Sequence, residues 1–226
     1  MIPAIIPARG GSKGIKHKNI VPVHGKPLIA WSIEHAKNSR HINEVIVATD
    51  CLEIAAVARQ YGADVFWRSA DSATDEAPSE TVLLEVVGKR YVNAEYVCFL
   101  QATSPCRQPQ DLDHAIEAMR KHQADSLFSC RIVEGYTWRL GKDFLLPNYQ
   151  SRHRRQDKDS VWLEENGSFY VFRPSILLEK RNRLGGLIIP FLMDPMDSFQ
   201  IDSPEDIPVV ERAMEVRCDY LAAAAH

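Results

Sequence analysis

Ile2-Pro3-Ala4-Ile5-Ile6-Pro7 runs straight into Ala8-Arg9-Gly10-Gly11-Ser12-Lys13-Gly14 and then Lys16-His17-Lys18-Asn19. The unbroken apolar run reads as a strand buried on both faces, which has no polar alternation to keep. The basic, glycine-rich segment then falls at the carboxyl end of that strand, where open α/β sheets bind ligands. Glycines there permit a tight turn and close backbone approach, and Arg9, Lys13, Lys16 and Lys18 place fixed cations around one small volume. The combination predicts a cradle for a polyphosphate. Its spacing matches neither the Walker pattern nor the GxGxxG fingerprint, so the two commonest phosphate loops are set aside. A solvated basic turn is the plainer alternative, and the strand directly before the loop weighs against it.

Outward from this loop, helix and strand patterns alternate. Pro27 to Lys37 has apolar positions at helical spacing, Glu44 to Ala48 is a strand ending at Thr49-Asp50, and Leu52 to Tyr61 is a second helix. Asp64 to Phe66 reads as a short strand, Ser79 to Arg90 as a helix with Ser79 as its N-cap, and Glu95 to Leu100 as a strand. Helix Pro109 to Lys121 and strand Ser126 to Cys130 continue the series. This order predicts an α/β fold built on a mostly parallel, doubly wound sheet. The pattern stops from about residue 131 to 162, where aromatic, basic and polar residues mix, and Ser168 to Phe172 then reads as a strand returning to the sheet. The irregular stretch is expected to be an insertion that packs on a partner subunit. Ser198 to Ile201 reads as an edge strand, and a helix from Pro204 closes the chain, with Ala222 to Ala225 expected to fray.

At 226 residues the chain suits a single domain, 1–226, carrying that insertion. A net charge of −3 and a pI near 6.2 argue against general nucleic-acid or membrane-surface binding, so the basic clusters are local anion sites. The five cysteines are odd in number and form no CxxC pair, against a disulfide framework or a zinc site. No apolar run approaches the ~18 residues of a membrane span, and the amino terminus lacks the organisation of a signal peptide. The expected compartment is the cytoplasm, with the nucleus left open.

Four motifs carry a resemblance to a known family. Beside the opening loop stand Leu100-Gln101-Ala102-Thr103-Ser104-Pro105-Cys106-Arg107, which matches a QxTSPxR pattern, and Arg154-Arg155-Gln156-Asp157 with Glu164-Glu165-Asn166-Gly167-Ser168-Phe169-Tyr170, which match RRQD and ENGSFY. Asp197-Ser198-Phe199-Gln200-Ile201-Asp202 falls at a DxD position. Together, and in this order, they resemble the cytidylyltransferases that activate sialic acid and related nonulosonic acids. The resemblance implies a nucleotide-diphospho-sugar transferase-like fold with a dimerisation insertion, and a reaction between CTP and an N-acylneuraminate that releases pyrophosphate.

The same resemblance implies roles. Arg9, Lys13, Lys18 and Arg155 are the expected catalytic cations, Arg155 being offered across a homodimer to the neighbouring site. Arg9, Gly11, Ser12, Asn19, Arg68, Ala77, Ser79 and Gln101 are expected at the nucleotide. Gln101, Arg154, Arg155, Gln156, Asn166 and Tyr170 are expected at the sugar acid, where arginine suits bidentate recognition of carboxylate. Asp202 and Gln200 are the expected ligands of Mg²⁺, or of Mn²⁺ in its place. Here the chain departs from the family, because Gln200 stands where the first aspartate of the DxD pair belongs, and a neutral amide oxygen is a weaker ligand for a hard cation. Arg107 reads as a further cation at the end of its strand. Two other readings stay open. In a glycosyltransferase using a nucleotide sugar, Asp111 and Asp113 would hold the metal, although at a helix start they equally suit the helix dipole. A non-catalytic nucleotide sensor would account for the missing carboxylate.

Overall fold

The structure, a computed structural model, describes residues 1–12, 14–142, 144–147 and 161–224. In chain order the elements are β1 (Pro3–Pro7), β2 (Pro22–Val23), β3 (Lys26–Pro27), α1 (Leu28–Asn38), β4 (Glu44–Thr49), α2 (Leu52–Gln60), β5 (Asp64–Trp67) and α3 (Ser79–Val86). Then follow β6 (Val97–Leu100), α4 (Pro109–His122), β7 (Ser126–Val133), β8 (Trp138–Leu140), β9 (Leu145–Pro147), β10 (Trp162–Phe172), α5 (Pro174–Lys180), β11 (Ile188–Leu192) and α6 (Asp206–Ala224). Seven strands form one sheet in the order β11-β7-β10-β6-β1-β4-β5. All run parallel except β10, which is antiparallel to both β6 and β7.

The apolar opening run lies at the heart of this sheet. Ala4 and Ile6 of β1 face a layer that includes Ile29, Ile33 and Ile116, while Ile5 faces the opposite layer with Val82, Leu83 and Leu177. Alternate residues of one strand thus enter two cores, the reason it carries no polar positions. A third, smaller cluster of Ile15, Val23, Leu28, Cys106, Ile201, Val210 and Met214 docks α6 against the loops that leave β1 and β6.

Several expectations are revised. Ser198 to Ile201 is not a strand: Pro195–Ser198 form a 3₁₀ turn, and the edge position belongs to β11, which the sequence reading missed. Pro190 inside β11 masked it, yet an edge strand tolerates a residue with no N–H to donate. Pro78, not Ser79, is the N-cap of α3, and that helix ends at Val86 in a wide π turn, Val87–Tyr91. The ends of the irregular stretch are ordered ladder: β7 extends to Val133, and Trp162 pairs with it. A small β8–β9 hairpin follows, exposing Trp138, Leu140, Leu145 and Leu146. Arg154, Arg155 and Gln156 lie outside the described residues, as does Lys13. The last helix continues through Ala224.

Candidate active site

The carboxyl ends of β1, β5 and β6 open onto a cleft of about 310 Å³. Arg9 enters it directly from β1 and pairs with the Asp75 carboxylate, while Asn19 Nδ2 donates to the Arg9 carbonyl at 3.0 Å and folds the loop back on itself. The Gly10 N–H donates to Asp50 Oδ1 at 2.9 Å. A Cβ on Gly10 would lie 2.9 Å from Cys51 Cβ, and one on Gly14 2.8 Å from the Asp202 carbonyl, so packing demands glycine at these two positions. Gly11 is different. It is exposed and a side chain there would meet nothing, so its place in the cradle does not rest on steric need.

Lys18 Nζ sits 2.7 Å from Asp202 Oδ1, tying the basic loop to the far end of the chain. Arg68, half-buried in the same wall, makes no ion pair among the described residues. Burial pushes its pKa below the ordinary value, against the opposing pull of Asp50 and Glu85. Ser12, Ala77 and Ser79 complete this side, and because the Ala77 N–H is taken by Thr74 Oγ1 at 3.1 Å, a ligand meets its carbonyl or methyl. Across the cleft, Gln101 accepts from Thr103 Oγ1 at 3.3 Å through its side-chain oxygen.

A second cleft, of about 280 Å³, adjoins the first, and Asp202 lines both. Its walls include Arg131, Glu164, Asn166 and Gln200. Asn166 is fixed by Ser129 Oγ, which donates to its Oδ1 at 2.6 Å, and by its own Nδ2, which donates to Ser198 Oγ at 2.9 Å. Gln200 Nε2 donates to the Asn166 carbonyl, so this amide braces β10. Between them, Gly167 has φ +68°, and a Cβ on it would lie 2.8 Å from Gln200 Nε2 and 3.1 Å from Gln101 Nε2. Gly167 is the site residue the sequence reading left unassigned; a glycine inside a strand, where the β10 register shifts, was its signal.

A family model described as Cytidylyltransferase matches residues 3–184. The chain belongs to the cytidylyltransferase family. It is 38% identical over 218 residues to N-acylneuraminate cytidylyltransferase A of Danio rerio, a match that covers 93% of this chain and 50% of that one. It is 33% identical over 235 residues to CMP-N,N'-diacetyllegionaminic acid synthase of Legionella pneumophila, covering 97% and 99%. The chain therefore spans about half the length of the fish relative. A solved CMP:2-keto-3-deoxy-manno-octonic acid synthetase, complexed with CTP, superposes with a TM-score of 0.72 at 18% identity, covering 96% of this chain and 99% of that one; it shows the shared fold.

In this cytidylyltransferase-family chain Arg9, Ser12, Lys18, Asn19, Arg68, Ala77, Ser79, Gln101 and Asp202 line the first cleft, and Asn166 and Gln200 the second. Three described residues do otherwise. Gly11 lines neither cleft. Tyr170 is buried in the core layer beneath the sheet, stacked on Phe99 at 5.6 Å with its hydroxyl donating to Glu165 at 2.8 Å, and lines neither cleft. The alternation of β10 decides this, pointing Asn166 and Tyr170 into different surroundings once the bulge has shifted the register. Arg107 is likewise no ligand cation: it is 1% exposed and donates to the carbonyls of Gln101 (2.7 Å) and Ser168 (3.0 Å), riveting the two loops that form the clefts. Asp111 and Asp113 are also committed elsewhere. Asp111 completes a capping box with Gln108, and Asp113 accepts from Ser39 Oγ and from Arg40 Nε at 2.8 Å. That removes the metal ligands a glycosyltransferase reading requires.

Proposed function

We propose that this chain transfers CMP from CTP to the anomeric hydroxyl of an N-acylneuraminate or related nonulosonic acid, releasing pyrophosphate. The observation that carries the proposal is the junction at Asp202 of two clefts, one lined by Arg9, Lys18 and Arg68 and one by Asn166, Gln200 and Arg131. The first suits a nucleoside triphosphate and the second a polyhydroxylated acid, which brings the attacking hydroxyl and the α-phosphorus to a common boundary. The names of the fish and Legionella relatives support this pairing.

The chemistry needs positioning and charge neutralisation more than covalent catalysis. Arg9 and Lys18 neutralise the triphosphate, with Lys13 and Arg155 proposed to join them. Asn19, Arg68 and Ser79 hold the base, Gln101 bridges nucleotide and sugar, and Asn166 holds the sugar acid, with Arg154 and Gln156 proposed beside it. Asp202 Oδ1 is engaged by Lys18, whereas Oδ2 has no partner among the described residues. No group of three or more metal-type side chains exists among those residues. One carboxylate beside a triphosphate fits Mg²⁺, which keeps several waters and takes phosphate oxygens as ligands. Asp202, with Gln200 adjacent, would hold Mg²⁺ or Mn²⁺ there, and the ion supplies further neutralisation of the triphosphate when bound. We also propose a homodimer through the β8–β9 region and a cytoplasmic setting; no helix among the described residues is long and apolar enough to cross a membrane.

The deciding experiment measures pyrophosphate release with CTP, UTP, ATP and GTP against a panel of N-acetylneuraminate, its deaminated analogue, legionaminate and pseudaminate. Acid-dependent release from CTP alone is expected. Equal release from UTP, or none with any acid, would overturn the proposal, and the latter would favour a nucleotide sensor.

A further inference from the structure

Arg183 lines neither cleft, yet its side chain touches the supports of both. It lies in the loop between α5 and β11. Its Nη1 donates to Glu80 Oε1 at 2.7 Å, and its guanidinium carbon stands 4.3 Å from the centroid of the Tyr170 ring and 5.2 Å from that of Phe99. The ion pair is partly shielded from water, with Arg183 19% and Glu80 21% exposed. The loop that carries Arg183 is anchored separately, because the Gly185 N–H donates to Ser126 Oγ at 3.0 Å and the Leu187 N–H to Asp125 Oδ2 at 2.8 Å. Arg183 is thus presented from a fixed support and is not the support of its own loop.

Each of its contacts leads to a cleft. Glu80 lies in the first turn of α3, directly after Ser79, and Ser79 and Val82 of this helix line the first cleft. Val82 and Leu83 hold α3 against the core from within, while the ion pair with Arg183 holds its first turn by a charge. On the other side, the Tyr170 hydroxyl donates to Glu165 Oε2 at 2.8 Å, and Glu165 lines the second cleft. Burial raises the pKa of this phenol, so the hydroxyl keeps its proton and remains a donor. A cation over the face of the ring draws charge from it and strengthens the donation to a carboxylate. Arginine suits this double task, since its planar group stacks on a ring while its edge meets an acid.

We propose that Arg183 is a positioning residue for both clefts, setting the α3 wall through Glu80 and the Glu165 carboxylate through Tyr170. Its effect on either substrate passes through those two neighbours. The inference rests on the reaction proposed above, in which the first cleft takes CTP and the second the sugar acid.

Calorimetry with CTP and steady-state kinetics on four variants separate the two arms. Arg183→Met should raise the Kd for CTP and the KM for the acid each about fivefold, the upper range for a partly exposed ion pair, with a smaller change in kcat. Glu80→Gln should reproduce the CTP effect and leave the KM for the acid as it was, and Tyr170→Phe should do the reverse. Arg183→Lys keeps a charge for Glu80 and loses the planar face over Tyr170, so it should recover CTP affinity without recovering the KM for the acid. A lower Tm in Arg183→Met with unchanged Kd and KM assigns the residue to stability alone and overturns the inference. Loss of both affinities in Glu80→Gln and in Tyr170→Phe alike overturns it too, as the mark of general loosening. If Arg183→Met does not fold, these two single-contact variants decide. No pyrophosphate from the unsubstituted protein with any acid sinks the reaction instead; equal CTP affinity in Glu80→Gln and the unsubstituted protein would then still refute the link through Glu80.

Discussion

Arg9 and Arg68 share one cleft but differ in their surroundings, and that difference predicts different kinetics. Arg9 pairs with Asp75, so Arg9→Ala removes a cation from the triphosphate cleft and leaves the Asp75 charge less neutralised there. Its kcat should fall steeply. Arg68 makes no ion pair among the described residues and sits in the wall expected to hold the base, so Arg68→Ala should raise the Kd for CTP by roughly 10- to 100-fold, the worth of a charge-assisted hydrogen bond, with a smaller effect on kcat. Calorimetry and turnover on both variants check this division; equal falls in kcat would contradict it. At the cleft junction, Asp202→Asn should remove most activity at any practical Mg²⁺ concentration and free Lys18. Gln200→Asp should lower the Mg²⁺ concentration needed for half-maximal rate, yet lose rate as well, because the new carboxylate cannot donate to the Asn166 carbonyl. A Mg²⁺ titration of the two variants reads both effects, and an active Asp202→Asn enzyme with unchanged Mg²⁺ dependence would place the metal elsewhere.

At the scale of elements, the site depends on how two loops are locked together. The guanidinium of Arg107 reaches from the loop after β6 to α1 and β10, and losing it removes four hydrogen bonds in a dry setting, although the Gln101 carbonyl keeps Ser32 Oγ and the Ser168 carbonyl keeps the Gln101 N–H as donors. Arg107→Met should therefore destabilise the fold by about 2–4 kcal/mol, the worth of several lost buried hydrogen bonds, and raise KM for both substrates. Denaturant unfolding and steady-state kinetics measure the two effects. The turn before α6 carries a pH signature of its own. Burial pushes the Asp197 carboxyl from 3.8 up to about 6, despite the attraction of Arg217. Between those values the folded state holds the proton more tightly than the unfolded chain does, so stability from this group falls as pH rises from about 4 through about 6. The Tm of the unsubstituted protein minus that of Asp197→Asn should be more positive at pH 4.5 than at pH 7.5; the opposite order would refute the assignment.

For the whole molecule, the apolar surface of the arm sets the expected assembly. Leu140 is 82% exposed and Leu145 57%, and they are cross-strand partners in the β8–β9 hairpin. Exposed neighbouring apolar residues of this size mark an interaction surface. Leu140→Asp with Leu145→Asp should yield a monomer by light scattering where the unsubstituted chain is expected to run as a dimer. Activity should fall in that variant if Arg155 completes the neighbouring site, whereas a fully active monomer would exclude the shared-site arrangement.

The local alternation of apolar runs and helical spacing was enough to establish an α/β fold, since burial of a central strand on both faces writes itself as an unbroken apolar run such as Ile2 to Pro7. Arg9 and Lys18 were legible as part of a basic segment that follows a buried strand, where a parallel sheet gathers its carboxyl ends, whereas Asn19, Arg68 and Gln101 came from the family resemblance. Other features depended on residues distant in sequence. Tyr170 faces the core because of the bulge at Gly167, and Gly167 itself must be glycine because Gln101 and Gln200 arrive from elsewhere in the chain. Arg107 and Asp113 look like free charges in the sequence, and only the chain's return through Ser168 and Arg40 shows them spent on internal bonds. β11 escaped notice because its pairing with β7, not its composition, makes it a strand. Periodicity and turn chemistry are properties of neighbours along the chain; register, orientation and the pairing of buried charges are set by neighbours in space, and those only the tertiary structure decided.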